Sequence, residues 1–551
     1  MRSRVLRVVI ALLAAVAGLP AATTFTADAS AAEPAPALRP VGTCEELARI
    51  FTIPGAVTHV EKAQVRTVTG QPRHCLLEGY VEPAVRFQLK LPMDTYGGRY
   101  MQHGCGGLCG SIAEPAFPAC GGPPARDMAV AATDDGHVGE GGFFDAIVDG
   151  RALAGDPAAR ADYFYRAPHV VSVAAKQIIK TFYGSAPKYS YFNGCSTGGR
   201  EGLLLAQRYP ADFDGIVAGA PAAYMGPLLG VYFTWLSTVN NDRNGSPIVT
   251  AAKLPALHGA VLRACDGGDG LTDGQIDDPY PCRFDPVAIQ CEPGADQPNC
   301  LTPAQVTVTR KLYDGPRDPH GRRLYPGWQS RGSELAWDGS IIPNQYGSLA
   351  KLPDNYLKYV GYPVGKPHSS LADFRFTARQ FHRLTPEGAK GNAMSLDLSA
   401  FRRRGGKLLL WHGRDDASIP AAGTLDYYQQ LTQRNGGLHQ TRTWARAFMV
   451  PTMYHCTLGG YRLSAFDPFP QLTGWVEHGK APDRIIATGT DANGHPRTRP
   501  VFPYPQRATY DGSGDINDAA NFTPTNPSKT PDDTIRWTGS YLHALPGPTA
   551  P

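Results

Sequence analysis

The chain has 551 residues, with 53 Lys and Arg against 49 Asp and Glu, a formal net charge of +4. So small an excess excludes nucleic acid or an anionic membrane as a partner held by bulk charge. The 11 cysteines, an odd number, point to disulfides in an exported protein with one thiol left over.

Residues 1–31 read as a secretory leader. Arg2, Arg4 and Arg7 precede an apolar run, residues 8–19, that is too short to favour a membrane span. Ala27-x-Ala29 and Ala29-x-Ala31 offer cleavage sites, and cleavage lowers the net charge to about +2. A secreted protein is therefore expected, and no later segment reads as transmembrane.

Residues 40–225 carry strand and helix signals up to Ala220-Pro221. Residues 100–110 are glycine-rich after a strand-like start. Asp134-Asp135-Gly136-His137 reads as structural or pocket-lining, because a metal site would need more ligands. Gly194-Cys195-Ser196-Thr197-Gly198 lies between a strand-like run at 188–192 and a helix-like run at 200–209. That is the context of a nucleophile elbow, where small neighbours allow a sharp turn and leave the serine hydroxyl exposed. The helix N-terminus that follows points N–H groups at a developing oxyanion. Arg200 and Glu201 open this helix and read as structural.

Residues 226–395 are rich in Pro, Gly and aromatics and contain four cysteines. They read as an insertion folded over the active-site edge as a lid. Its Tyr325, Trp328, Trp337 and Tyr346 could stack on an aromatic ligand or fill the lid core. The chain from 396 to 551 returns with an apolar run at 408–410 leading into His412-Gly413-Arg414-Asp415-Asp416. A second apolar run, 447–450, leads to Met453-Tyr454-His455-Cys456. Ser, Asp, His is the chain order of an α/β-hydrolase triad. Ser196 would be the nucleophile, His455 the general base and then acid, and Asp416 the carboxylate that orients the imidazole. Cys195 precedes the serine and Cys456 follows the histidine, so if those two residues meet, the cysteines come within disulfide range. The tail from Pro546 is expected to fray.

Cys-Ser, Asp and His-Cys in this arrangement resemble the tannase and feruloyl esterase family. The resemblance extends through Tyr165-Arg166-Ala167-Pro168-His169, Ala174-Ala175-Lys176 and Phe182-Tyr183-Gly184. It continues through Phe213 to Pro221, His412 to Pro420 and Trp475 to Arg484. It implies an α/β-hydrolase fold with an inserted lid domain. With proximity along the chain, it also implies the pairs Cys44–Cys75, Cys195–Cys456, Cys265–Cys282 and Cys291–Cys300. Cys105, Cys109 and Cys120 remain. A short Cys109–Cys120 loop would leave Cys105 free, a pairing that sequence leaves open.

Two further sites follow from resemblance. Residues 265–279 pack five carboxylates among glycines, which repel unless an oxygen-loving cation offsets them. The segment is not an EF-hand, since Asp269 as first position puts Tyr280 where the bidentate Glu belongs. It resembles the family's calcium loop, which implies structural Ca2+ held by the side chains of Asp266, Asp269 and Asp273 and the carbonyls of Leu271 and Gln275. The loop at 100–110 resembles the oxyanion loop of esterases, so one oxyanion donor is assigned to the N–H of Thr197 and a second to Gly106.

The expected activity is hydrolysis of aromatic-acid esters, feruloyl or other hydroxycinnamoyl or galloyl, from small molecules or plant polymers, through an acyl-serine. A terephthalate half-ester hydrolase is the alternative, or another acyl hydrolase or peptidase on the same triad. A binding protein without activity is disfavoured by the complete Ser, Asp and His set.

Overall fold

The computed structural model describes residues 37–113, 127–344, 349–529 and 531–545. The expected leader, Cys120, Tyr346 and the tail from Pro546 lie outside the described residues. Residues 37–551 cluster as one compact unit.

A ten-stranded sheet organises this unit. Its strands are β1 (Ile50–Phe51), β2 (Thr58–Arg66), β3 (His74–Val81), β4 (Val85–Pro92), β5 (Arg99–His103), β6 (Met128–Thr133), β7 (Tyr189–Cys195), β8 (Gly215–Gly219), β9 (Lys407–Gly413) and β10 (Ala445–Val450). The order is β1-β2-β3-β4-β6-β5-β7-β8-β9-β10. Pairing is antiparallel from β1 to the β4–β6 contact. It is parallel from β6 through β5, β7, β8 and β9 to β10.

The parallel strands read as continuous small and apolar runs because both their faces are covered. All residues of β6 (Met-Ala-Val-Ala-Ala-Thr) and β8 (Gly-Ile-Val-Ala-Gly) are buried. The two-residue period divides each strand between two cores. Tyr100, Phe192, Ile216 and Leu408 join the core that includes the helices Ala167–Tyr183 and Thr197–Arg208. Their neighbours Met101, Tyr191, Val217 and Leu409 join the opposite core, with Phe469, Leu472 and Trp475 of the helix Phe469–His478.

Among the described residues, the segment between β8 and β9 adds no strand to this sheet. It is built of helices, including Leu254–Cys265, Pro303–Asp314 and Ala378–Gly391. Its aromatics divide according to burial. Tyr325 and Trp337 are buried, Tyr325 tilted against Tyr232 at 4.7 Å between ring centroids, and Trp337 donating Nε1–H to Ser333 Oγ at 3.0 Å. These two are lid core rather than a platform for a ligand ring. Trp328 is half-buried beneath the Arg323 guanidinium, 4.7 Å from the ring centroid.

After β10, strands β11 (Leu463–Ala465), β12 (Ile485–Thr490) and β13 (Pro496–Val501) form a separate antiparallel sheet. The hairpin β14 (Arg507–Tyr510) and β15 (Phe522–Thr525) follows.

Four disulfides join the pairs named from the sequence: Cys44–Cys75, Cys195–Cys456, Cys265–Cys282 and Cys291–Cys300. The fifth corrects an expectation. Cys105 is not free; it is bonded to Cys109. The chain between them turns tightly, with Cys109 N–H donating to Gly106 O at 2.9 Å and Cys109 at φ 62°, so the two Cα atoms are 5.4 Å apart.

Candidate active site

Ser196 stands between β7 and the helix Thr197–Arg208, at φ 63° and ψ −121°. A residue with a Cβ rarely adopts this conformation, and it is strained by about 1–3 kcal/mol. The turn is closed from three sides. Ser196 N–H donates to Gly219 O at 3.0 Å, Ala222 N–H donates to Ser196 O at 3.0 Å, and Gly194 lies against Gly198 so closely that a Cβ at Gly194 would sit 2.4 Å from the Gly198 carbonyl carbon. The two glycines of the motif are therefore required by backbone contact.

Asp416 follows β9 and is fully buried. Its Oδ1 accepts N–H bonds from Ser418 and Ile419, both at 2.8 Å. Its Oδ2 lies 2.6 Å from His455 Nδ1 and 3.2 Å from His412 Nε2. Burial alone would raise this carboxyl, but the His455 charge and the hydrogen bonds from His412 and His455 outweigh it and hold Asp416 well below the usual carboxylate range. Asp416 is thus an anion with its acceptor sites filled, and the orientation of His455 is set from Nδ1.

His455 and Cys456 lie on a loop after β10 in which Thr452, Cys456 and Thr457 all have positive φ. The Cys195–Cys456 bond, with Cα atoms 5.8 Å apart, holds the residue before Ser196 beside the residue after His455. The pair is 261 positions apart in sequence, and the bond joins the end of β7 to the loop that follows β10.

Asp415, one residue earlier, faces the other way. It receives Ser330 Oγ–H from the lid at 3.1 Å. Burial, and then the charge of Glu334, push its carboxyl well above the usual range.

His412, at the end of β9, was given no role from the sequence, and it makes a positioning contact. Its Nε2 lies 2.8 Å from Ile419 O, which can only accept, so Nε2 carries a proton, and its Nδ1 lies 2.8 Å from Thr424 Oγ. The sequence signal was the His-Gly pair at the strand end.

Thr197 is the first residue of its helix, so its N–H has no intrahelical acceptor. Its Oγ–H donates to Gly107 O at 2.7 Å, and Gly198 N–H donates to Cys105 O at 2.9 Å. These bonds dock the 104–110 loop on the helix N-terminus. A Cβ at Gly106 would meet nothing within 4 Å, so the loop presents open space there.

The acidic loop is curled on Asp266, whose carboxylate accepts the N–H groups of Asp273, Gly274 and Gln275 at 3.3, 2.9 and 3.2 Å. Asp269 accepts Leu271 N–H at 3.0 Å. Burial, and then the charges of Asp277, Asp273 and Asp266, raise Asp269 to about 7. Two buried arginines of β13 reach in, Arg499 to Asp273 Oδ2 at 2.5 Å and Arg497 to the same oxygen at 3.2 Å. The donor set is oxygen only and keeps uncompensated repulsion at Asp269, which fits a hard cation. Asp273 is already partly neutralised, and Asp277, absent from the expected ligand set, is the carboxylate whose charge acts most strongly on Asp269.

A serine on a strand-to-helix elbow, beside a histidine oriented by a buried aspartate at the ends of parallel strands, defines an α/β-hydrolase. The family model described as "Tannase and feruloyl esterase" matches residues 66–525, and the chain belongs to that family. It is a carboxylic-ester hydrolase. The chain is 34% identical to the mono(2-hydroxyethyl) terephthalate hydrolase of Piscinibacter sakaiensis, over 85% of this chain and 89% of the relative. It is 32% identical to a probable feruloyl esterase of Arthroderma benhamiae, over 79% and 81%. The solved structure of feruloyl esterase B from Aspergillus oryzae superposes with a TM-score of 0.73 at 25% identity, covering 89% of this chain and 95% of that one.

Proposed function

We propose that the protein is an exported serine esterase that cleaves esters of aromatic acids, with Ser196, His455 and Asp416 as its triad. The observation that carries the triad is the 2.6 Å contact between Asp416 and His455, tied beside Ser196 by Cys195–Cys456. His455 Nε2 takes the Ser196 proton as Oγ attacks the ester carbonyl. The oxyanion forms facing the N–H groups of Thr197 and Gly106. His455 then protonates the departing alcohol, leaving acyl-Ser196. Water, deprotonated by His455, attacks the acyl carbon, and Ser196 recovers its proton as the acid leaves. Export is supported by the leader-like N-terminus and the five disulfides.

The aromatic acyl group is supported by the relatives, feruloyl esterases among them. A panel of feruloyl, galloyl and chlorogenic esters, a terephthalate half-ester and a peptide tests this. Turnover of the feruloyl or galloyl esters with the highest kcat/KM is expected. A clear preference for the half-ester would transfer the assignment to that reaction, and peptide cleavage without ester cleavage would overturn it.

Calcium is assigned a structural place at Asp266, Asp269 and Asp273 with the carbonyls of Leu271 and Gln275. When bound, it would neutralise the loop's carboxylates. Chelation is expected to lower Tm, because an ion bound only by the folded loop stabilises by linkage. Initial rates below the melting transition should hold, since the serine mechanism uses no metal. No bound calcium and no shift in Tm would reduce the segment to an acidic turn.

A further inference from the structure

We propose that Asp135 and Glu201 form a proton-sharing carboxyl pair that positions the oxyanion loop on the nucleophile helix. The proposal rests on the assignment of Gly106 as an oxyanion donor. Glu201 is on the second turn of the helix that starts beside Ser196, and Asp135 follows the end of β6. Ligating atoms of Cys105, Cys109, Asp135 and Glu201 all lie within 4.8 Å of one another. Cys105 Sγ is 2.9 Å from Glu201 Oε1, and Cys109 Sγ is 3.4 Å from Asp135 Oδ2.

Four such groups would suit a metal if the sulfurs were thiolates. Here they are joined as a disulfide and carry neither charge nor proton. The carboxyls must then satisfy each other. No salt bridge to either is formed among the described residues, and Asp135 Oδ1 has no hydrogen-bond partner. Two buried carboxylates side by side cannot both ionise, so one proton stays between them.

The charged and titratable groups around the pair do not replace that proton. The charge of Arg200, on the same helix, lowers both carboxyls but less than burial raises them; its Nη atoms donate to the carbonyls of Phe164, Tyr163 and Gly391 and form no salt bridge with the pair among the described residues. Asp134 adds like charge to Asp135. Buried His137 is held down to about 4, chiefly by desolvation, so it is neutral. Tyr163 is likewise kept neutral by burial. Burial raises Glu201 to about 7, and burial with the Glu201 charge holds Asp135 well above its usual range.

Besides the contacts to the disulfide sulfurs, the pair meets the loop at its backbone. Glu201 Oε2 accepts the N–H of Cys105 at 3.3 Å, the residue before Gly106. The Gly104 backbone packs there so closely that a Cβ would sit 2.8 Å from the same oxygen. With one proton shared, Glu201 holds the loop at the cost of a single charge. Loss of that proton would place two anions beside the forming oxyanion and push the loop outward. Asp135 and Glu201 are thus positioning residues.

The test measures kcat and KM for a simple aryl ester from about pH 5 to pH 10 in wild type, Asp135→Asn and Asp135→Ala. Wild-type kcat is expected to fall on the alkaline side. Asparagine keeps a donor toward Glu201 but cannot ionise, so Asp135→Asn should stay within a few-fold at pH 6 and lose that alkaline fall. Asp135→Ala removes the donor and should lower kcat by about tenfold or more at every pH, with KM less affected. Thermal melts of wild type and Asp135→Asn provide a readout independent of turnover. A carboxyl whose folded pKa lies above its unfolded value of about 4 contributes stability that is present below that pH and lost as pH rises through the folded value. The wild-type Tm should therefore decline toward alkaline pH more steeply than that of Asp135→Asn.

Superimposable pH profiles and melts would overturn the proposal. So would one equivalent of zinc with two free thiols at Cys105 and Cys109, since a cation would then stand where the shared proton is assigned. A wild-type protein inactive on every aryl ester would instead overturn the function on which the pair's role rests.

Discussion

Replacing Ser196 by alanine is expected to lower kcat by about 10⁶-fold, close to the largest loss seen when a serine nucleophile is removed. The oxyanion donors and the binding surface remain, so a residue of about 10³–10⁴ over water should persist. The fold should not change. Alanine keeps the Cβ and therefore the φ 63° strain of the elbow, and the bonds that close the turn are all made by backbone atoms. Tm should match wild type. Ser196→Gly should be equally inactive but more stable, because glycine adopts positive φ without penalty. Turnover by purified, folded Ser196→Ala comparable with wild type would remove the serine mechanism. An unaltered Tm in Ser196→Gly would show that the elbow is not strained.

The second large effect is at Asp416, proposed as the triad acid. Asp416→Asn is expected to lower kcat by about 10⁴-fold at neutral pH, because an amide facing His455 Nδ1 no longer enforces the tautomer that leaves Nε2 as the base. Asp415→Asn should lose only a few-fold. Burial and the Glu334 charge already disfavour its ionised form, and asparagine has nearly the shape of the protonated acid. The Ser330 Oγ contact can be kept through the amide oxygen. If Asp415→Asn is the more damaging change, His455 takes its orientation from the lid side and not from Asp416.

Much of the site was legible because its parts are local. The elbow needs small residues at fixed offsets around Ser196, since Gly194 and Gly198 touch through backbone. The parallel strands announce themselves as apolar runs, because both faces are buried. Strand ends were read short. β7 extends to Cys195 and β10 begins at Ala445, since pairing with neighbouring strands carries the ladder through small and charged residues that have no strand signal of their own.

What chain order and residue type determined by themselves is the identity of the chemistry: an elbow serine, a later aspartate and histidine, and cysteines placed to tie them. What only the tertiary structure decided is which polar groups face one another in the dry interior. Cys105 pairs with Cys109 because a tight turn brings them together, which their spacing alone did not distinguish from a longer loop to Cys120. Arg497 and Arg499 reach Asp273 across more than two hundred residues. Glu201 and Asp135, unremarkable as a helix opening and a loop, share one buried site with Cys105 and Cys109 of the 104–110 loop. A charge has little consequence until water is removed from around it. Where water is removed depends on which elements pack together, and local sequence does not encode that.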